Sequence, residues 1–242
     1  MARRDVPFWQ RLAAAQDGAV LELGCGTGRI TVPVLKAGAQ VVGIDRSAPM
    51  LARAQQRIRR AKLADRARLV RGDIRHLPFR RRRGFSLVMA PYGILQSLTR
   101  ERDLRATLES VARVLRPGGL LGIDLVPDLP RWSEYDRRVS LSGPSTSLGR
   151  SRRAGGARLT LIESVRQDPA RRLTIFDQEY VVSRGRQRQV HRFALTFRTL
   201  SVPQMSARLE RAGFRIQAVL GDYHGGPWDS RADVWVILAA RR

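Results

Sequence analysis

Short apolar runs alternate with amphipathic helical stretches between Ala19 and Leu125. This alternation is typical of a parallel sheet whose crossover helices cover its faces. The pattern predicts strands at Val20 to Leu23, Gln40 to Ile44, Ala67 to Arg71, Phe85 to Ala90 and Leu120 to Leu125. It predicts helices near Arg29 to Ala37, Ala48 to Lys62 and Arg100 to Val114.

The pattern changes between Ser140 and Ser201, where longer extended segments follow one another. Arg158 to Arg166, Arg171 to Arg184 and Gln187 to Leu200 are separated by turn residues, which predicts an antiparallel three-stranded insertion. A Gly/Ser/Pro-rich stretch, Ser142 to Gly156, is expected to lead into it as a flexible segment. We therefore predict one domain from residues 1–139 and 201–242, interrupted by an insertion at 140–200.

The end of the chain returns to the first pattern. Ser201 can cap a helix that runs through Ala212 and stops at Gly213. Two strands around Phe214 to Leu220 and Asp233 to Ala239 are predicted to close the sheet.

A glycine-rich turn follows the first predicted strand. Val20-Leu21-Glu22-Leu23 leads directly into Gly24-Cys25-Gly26-Thr27-Gly28, and a helix comes next. Glycine removes the side chains that would keep a ligand away from the backbone amides. The turn predicts a nucleotide site, although dinucleotide-binding dehydrogenases share this feature.

Acidic residues stand at the ends of the next two strands. Asp45 follows Val41-Val42-Gly43-Ile44, where a carboxylate can accept both hydroxyls of a ribose. Asp73 follows Gly72 at the end of the third strand, at the rim where an adenine would lie. Taken singly, either acid is equally compatible with a cap, a salt bridge or a turn. The ordered set favours a site for an adenosyl nucleoside.

In an ordered set of motifs the chain resembles class I S-adenosylmethionine (SAM)-dependent methyltransferases: Glu22-x-Gly24-x-Gly26-x-Gly28, Gly43-Ile44-Asp45, Gly72-Asp73 and Leu115-Arg116-Pro117-Gly118-Gly119. The resemblance implies a Rossmann-like α/β fold with a seven-stranded, mostly parallel sheet whose last strand is reversed. It implies SAM as cofactor and S-adenosylhomocysteine as product, with the glycine loop at the methionine, Asp45 at the ribose, and Asp73 with Ile74 at the adenine. The predicted cofactor-binding residues are Glu22, Gly24, Cys25, Gly26, Gly28, Asp45, Arg46, Met50, Gly72, Asp73, Ile74 and Ala90.

The layout after Leu125 is also similar to that of small-molecule methyltransferases, including sugar-amine and glycine-type N-methyltransferases, that carry an antiparallel substrate lid. This resemblance implies methyl transfer to an amine or hydroxyl of a small-molecule acceptor. A general base is optional, because an amine with a free lone pair needs none, whereas a hydroxyl would profit from one.

Candidate acceptor residues come from three parts of the chain. The fourth strand ends at Ala90-Pro91-Tyr92-Gly93, with Gln96 about one helical turn further on, and this is not the Asn/Asp-Pro-Pro-Tyr quartet of amino-methylating DNA and protein enzymes. Tyr180 and His191 lie on lid strands whose alternation predicts one apolar face, where either could face the substrate, although the pattern favours a structural role in the core for each. Tyr223 lies in a glycine-rich loop that either roofs the acceptor pocket or simply joins two strands. Tyr92 and His191 are the candidate catalytic residues, and Tyr92, Gln96, Tyr180 and Tyr223 the candidate substrate residues.

The charge of the chain, 45 Lys and Arg against 21 Asp and Glu, gives a formal net charge of +24 and suggests nucleic acid as a partner. However, Lys36 and Lys62 are the only lysines, and a GC-rich genome produces an arginine excess without selection for binding. With 6% aromatic residues, no aromatic and basic platform stands out. The run Arg80 to Arg83 favours a solvated loop over a phosphate patch. Nucleic acid is therefore a possible partner but not the favoured one.

The remaining composition narrows the setting of the protein. No apolar stretch reaches the roughly 20 residues of a spanning helix, and the N-terminus lacks the apolar block of a secretory signal, so we expect a cytoplasmic protein without membrane contact. One cysteine, Cys25, and three histidines leave little from which to build a metal site. A monomer and a homodimer are both compatible with the sequence.

Three alternatives to a small-molecule methyltransferase stay open at this point. An RNA or DNA methyltransferase is favoured by the positive net charge. A non-catalytic SAM-binding protein is possible because the same fold can serve as a scaffold or sensor. A nicotinamide dehydrogenase would share the glycine loop and ribose acid, but the chain contains no Tyr-x-x-x-Lys pair.

Overall fold

The computed structural model describes residues 5–79, 84–125, 134–144, 157–229, 232 and 234–242. The chain divides into two compact units, Met1–Asp128 with Leu200–Arg242, and Leu129–Thr199. The run Arg80 to Arg83, most of the predicted flexible segment, and Asp233 of the predicted last strand lie outside the described residues.

The first unit contains a seven-stranded sheet in the order β10-β11-β5-β4-β1-β2-β3. Its strands are β1 (Val20–Leu23), β2 (Val41–Asp45), β3 (Ala67–Arg71), β4 (Phe85–Ala90), β5 (Leu115–Leu125), β10 (Phe214–Leu220) and β11 (Trp235–Arg241). The neighbouring pairs from β5 to β3 are parallel, and β11 is antiparallel to both β5 and β10. The predicted Rossmann-like sheet with a reversed last strand is confirmed.

Burial explains why the central strands were easy to recognise. Every residue of β1 and β4 is buried, as expected for strands covered on both faces by helices. Apolar side chains of the sheet and helices form two clusters, one containing Leu21, Ile44 and Ile123 and the other containing Val20, Leu87 and Trp9. The sheet therefore has a packed layer on each side.

The helices of this unit are α1 (Val6–Ala14), α2 (Thr31–Lys36), α3 (Ala48–Arg60), α4 (Glu101–Val114) and α5 (Val202–Arg211). Ser201 caps α5 through a complete capping box with Gln204, as its position before the apolar run predicted. Helix α1 was not among the predicted elements. It is short, and its place depends on packing, because Trp9 is fully buried against the core.

The second unit is a four-stranded antiparallel sheet in the order β6-β7-β8-β9. Its strands are β6 (Tyr135–Pro144), β7 (Arg158–Asp168), β8 (Leu173–Arg184) and β9 (Gln187–Arg198). The prediction of three strands was wrong, because it found β7, β8 and β9 but missed β6. Residues Asp136 to Ser142 of β6 are all exposed and few of them are apolar, so no buried face marks this strand in the sequence.

Among the described residues, no helix combines the length and the apolar character that crossing a membrane requires.

Candidate functional site

The carboxyl ends of four adjacent parallel strands, β4, β1, β2 and β3, lie along one edge of the sheet. Ala90 ends β4 and is buried, Gly24 follows β1, Asp45 ends β2 and Gly72 follows β3. Ligands of open α/β sheets bind in the crevice at this edge. The topology therefore brings most of the predicted cofactor residues to one side of the sheet.

Asp45 joins the loops that follow the first two strands. Its Oδ2 accepts a hydrogen bond from the amide of Gly26 at 2.8 Å, and its Oδ1 accepts one from the amide of Ser47 at 2.8 Å. Its backbone carbonyl accepts from the amide of Gly72 at 3.0 Å, which ties in the loop after β3. The half-buried carboxylate keeps a second lone pair on each oxygen, because an ionised carboxylate can accept about four hydrogen bonds.

The glycine loop has left-handed backbone conformations at Gly24 and Gly26, with φ of 62° and 53°. A Cβ on Gly24 would lie 2.8 Å from Cδ1 of Ile94, so a larger residue there would have to displace the Ile94 side chain. A Cβ on Gly26 would meet nothing closer than 3.9 Å, which leaves the space above this residue open. Gly28 lies against α3, where a Cβ would be 3.4 Å from that of Ala54.

Cys25 is the second residue of the loop and is 3% exposed. Its amide donates to the carbonyl of Ile44 at 3.0 Å. Burial raises the pKa of the Cys25 thiol far above its usual value, so the side chain stays a thiol and does not act as a nucleophile.

Glu22, on β1, is 2% exposed. Thr31 Oγ1 donates to Glu22 Oε2 at 2.6 Å, which links β1 to α2. Burial raises the pKa of Glu22 from 4.5 to about 8, against the opposing effects of Thr31 and Arg29. Its carboxyl group is thus mostly protonated at neutral pH, and a direct contact with a cofactor stays a prediction.

Gly72 and Ile74 shape the turn after β3. A Cβ on Gly72 would lie 2.9 Å from Cδ1 of Ile44, and Ile74 is 8% exposed and packs in the core. Asp73 caps the short 3₁₀ helix that begins at Ile74 and pairs with Arg75 at 2.6 Å. The hydrogen bond from Arg75 lowers the pKa of Asp73 to about 2. The structure thus gives Asp73 a structural partner, and its predicted adenine contact stays untested.

The start of α3 carries two further predicted residues. Arg46 is exposed, and its carbonyl accepts from Arg71 Nε at 3.3 Å. Met50 is 43% exposed in the first turn of the helix. Met50 and Tyr92 are the large exposed hydrophobic residues among the described part of the first unit. Met50 follows the carboxyl end of β2, and Tyr92 follows that of β4.

The segment after β4 turns sharply at Tyr92, whose φ is 63°, a strained conformation for a residue with a side chain. The Tyr92 side chain is 58% exposed, and the guanidinium of Arg29 lies 5.3 Å from its ring centroid. Gln96 is 1% exposed, and its amide donates to the carbonyl of Gly93 at 2.8 Å. The structure therefore presents Tyr92 at the edge and buries Gln96 beneath it.

Asp124, near the end of β5, was missed by the sequence reasoning. It is 2% exposed and accepts from the amide of Gly93 and the hydroxyl of Tyr223, both at 2.8 Å. Burial raises the pKa of Asp124, and burial with the nearby carboxylate raises that of Tyr223. An acid inside the apolar run Gly122-Ile123-Asp124-Leu125 was the available signal. Tyr223, predicted as a substrate residue, ties its loop to this carboxylate.

The glycine loop is also held from the N-terminal side. Arg29 makes two hydrogen bonds to Asp5, at 2.8 and 2.7 Å, just before α1. Asp5 is 7% exposed. Nothing in the sequence marked this pair, because its members are far apart along the chain and lie in different elements.

The second unit has Tyr180 and His191 directly opposite each other on β8 and β9. Residues at alternate positions share a face, so both lie on the side that also carries Phe176 and Phe193. The ring of Tyr180 packs edge-on against that of Phe193 with centroids 5.8 Å apart. Whether either residue touches a substrate stays a prediction.

In the described parts of the chain, no group of three or more His, Cys, Asp or Glu side chains is arranged to hold a metal ion.

A family model described as a methyltransferase domain matches residues 20–119, which include every loop at the carboxyl edge up to the end of β4. Its boundaries coincide with the ordered motifs. The chain thus contains a segment that matches a methyltransferase domain. The chain is 28% identical over 228 residues to a cypemycin N-terminal methyltransferase of Streptomyces sp, covering 93% of the chain and 84% of that protein.

Solved structures support the same fold. The CcbJ methyltransferase from Streptomyces caelestis superposes with a TM-score of 0.80 at 18% identity, over 100% of this chain and 97% of that one. The glycopeptide N-methyltransferase MtfA, solved in complex with SAM, superposes with a TM-score of 0.62 at 25% identity, over 100% of this chain and 96% of that one.

Some curated relatives match only about half of the chain. A demethylmenaquinone methyltransferase of Lactiplantibacillus plantarum is 40% identical over 121 residues, covering 47% of this chain and 49% of that protein. The chain thus matches about half the length of this relative.

Proposed function

We propose that this methyltransferase binds SAM at the carboxyl edge of its sheet and transfers the methyl group to an amine or hydroxyl of a small-molecule acceptor. The observation that carries the proposal is the Asp45 carboxylate, which joins the loops after β1 and β2 and still has free lone pairs. A carboxylate held in this way is prepared to accept both hydroxyls of a ribose without further rearrangement.

The other residues at this edge fit the cofactor. The open space above Gly26 lets a ligand approach the loop, and the exposed side chain of Met50 offers an apolar surface to a flat base. Bound SAM would supply a methyl group on a positively charged sulfur, which reacts with a nucleophile by in-line displacement.

The chain's own residues then have to align the acceptor and exclude water. Tyr92 projects from a strained turn beside Arg29, and Asp124 fixes that turn through the amide of Gly93. We assign the wall of the acceptor site to Tyr92 and expect the insertion, with Tyr180 and His191, to act as the lid. His191 is the candidate base if the acceptor is a hydroxyl.

The small acceptor is favoured by the relatives. The names of three similar proteins refer to the N-terminus of cypemycin, a glycopeptide and demethylmenaquinone, and none of these three names refers to a nucleic acid. A lid insertion suits a compact acceptor better than a polymer, because closure restricts acceptor size.

Isothermal titration with SAM and S-adenosylhomocysteine tests the cofactor assignment, with NAD as the control. We expect micromolar-class affinity for the two adenosyl ligands and none for NAD. Binding of NAD without binding of SAM would refute it.

A labelled-methyl screen of metabolite extracts, run beside RNA and DNA, tests the acceptor class. We expect incorporation into small molecules. The protein should bind RNA and DNA only weakly, and this affinity should fall about tenfold or more between 50 and 200 mM salt, because counterion release weakens phosphate contacts. Incorporation confined to RNA or DNA would favour the nucleic-acid alternative, which the net charge of +24 supports. SAM binding without any incorporation would favour a non-catalytic role.

A further inference from the structure

One face of the four-stranded sheet in the second unit is apolar and aromatic. Strand pairing places Leu161 opposite Tyr180, Glu163 opposite Gln178, Gln178 opposite Phe193, and Phe176 opposite Leu195, all on the same side. We call this side the aromatic face. Phe193 is 55% exposed, so its ring is available to a ligand.

A carboxylate, Glu163, stands in the middle of the aromatic face. Tyr135 Oη donates to its Oε1 at 2.5 Å and Gln178 Nε2 donates to its Oε2 at 2.6 Å, with Ser140 Oγ at 3.4 Å from Oε1. Burial, together with Glu163, raises the pKa of Tyr135 to about 12, so this phenol remains a donor. The donors are all neutral, and they orient the carboxylate without cancelling its charge.

Within the described residues, no arginine, lysine or histidine nitrogen lies within the 4.0 Å of an ion pair with Glu163. Arg138 is its partner in the strand register, but the Arg138 guanidinium lies over the ring of Tyr135, 5.6 Å from its centroid. An acid without a cation is notable in a chain with 45 basic residues.

The opposite face of the same sheet shows the contrast. Glu179 there is paired with Arg137 at 3.0 Å and with Arg192 at 3.7 Å, and Asp177 is paired with Arg166 at 3.0 Å. The basic residues thus neutralise the acids of that face, and the aromatic face keeps a fixed negative charge among rings.

We propose that the aromatic face binds an ammonium group of the acceptor, with Glu163 as the counter-charge and the neighbouring rings of Tyr180 and Phe193 covering its apolar part. A half-buried carboxylate and aromatic rings are the two features that recognise organic cations in proteins. This inference rests on the proposed function, because it takes the bound molecule to be the methyl acceptor. It narrows the acceptor from an amine or hydroxyl to a molecule that carries a positively charged amine.

The test uses two probes of the same shape: benzylamine, which is protonated at neutral pH, and benzyl alcohol, which is neutral. Their dissociation constants for the full-length protein are measured by ligand-observed NMR. We expect the wild type to bind benzylamine about tenfold more tightly than benzyl alcohol, the factor that one charge-assisted contact supplies.

Glu163→Gln keeps the shape and an acceptor for Tyr135 and should bind both probes equally. Glu163→Asp keeps the charge and should retain a preference for benzylamine, which guards against a loss of folding in one variant. Glu179→Gln, on the opposite face, is the matched control and should behave as the wild type. An unchanged preference in Glu163→Gln, or equal binding of both probes by the wild type, would overturn the proposal.

SAM titration of the same samples separates this inference from the proposed function. Binding of SAM with no effect of Glu163→Gln on the amine preference removes the cation site and leaves the methyltransferase assignment intact. A Glu163-dependent preference in a protein that binds no SAM supports the cation site and refutes the proposed function.

Discussion

Replacement of Glu22 by Gln should make the stability of this protein less dependent on pH. Glu22 is buried under the glycine loop and accepts a hydrogen bond from Thr31 at 2.6 Å. Glutamine has nearly the same shape and offers the same acceptor to Thr31, but it cannot ionise. The variant therefore isolates the effect of the proton on the carboxyl group.

The magnitude follows from the pKa of Glu22, which burial raises from 4.5 to about 8. Between these two values the folded protein holds a proton that the unfolded chain has lost, so the free energy of unfolding falls as the pH rises. The slope approaches roughly 1.4 kcal/mol per pH unit. From pH 6 to pH 8, where the folded group begins to ionise, linkage gives a loss of about 2 kcal/mol from this residue.

Urea unfolding at pH 6 and pH 8 measures the difference directly. The Glu22→Gln variant should lose about 2 kcal/mol less than the wild type over this interval. Glu109→Gln on α4, whose side chain is 60% exposed, is the matched control and should follow the wild type. If Glu22→Gln shows the same decrease as the wild type, the buried carboxyl does not titrate in this range and the burial argument fails.

The remaining predictions concern the carboxyl edge of the sheet. Asp45→Ala removes the proposed two-point ribose contact, worth about 1.5–3 kcal/mol per bond, so SAM affinity should fall at least about tenfold by titration. The exposed control Asp65→Ala, at the opposite sheet edge, should bind SAM normally. Tyr223→Phe leaves the buried Asp124 with one donor fewer and should lower the free energy of unfolding by about 1–3 kcal/mol in urea, whereas an unchanged value would mean that the bond contributes nothing. Tyr92→Gly relieves a left-handed residue and should raise stability by up to about 1 kcal/mol while labelled-methyl incorporation falls; full incorporation would remove the Tyr92 ring from the acceptor site.

The central sheet was predictable because its strands are buried on both faces. A strand such as β4, with every residue buried, has to be apolar throughout, and the glycine and acid at each strand end stand out against that background. The loop glycines and Asp45 were found in this way, since each is required by local backbone geometry or by its position at a strand end.

Strand β6 could not be found by the same reasoning. It is an edge strand with irregular pairing, and its apolar residues Val139 and Leu141 are 58% and 53% exposed, so it has no buried face to distinguish it from a loop. Helix α1 was not predicted from the sequence, because its position depends on the packing of Trp9 and on the ion pair of Asp5 with Arg29.

The sequence by itself determined the order of strands and helices in the sheet unit and the edge at which a nucleotide would bind, because these depend on periodicity and on residues close together in the chain. Only the tertiary structure decided which polar groups meet. It paired Arg75 with both Asp73 and Asp103 and joined Asp124 to Tyr223. Within the described residues, it left Glu163 on the aromatic face without a cation. Contacts between distant parts of a chain are set by packing and strand register, and neither can be obtained from local pattern alone.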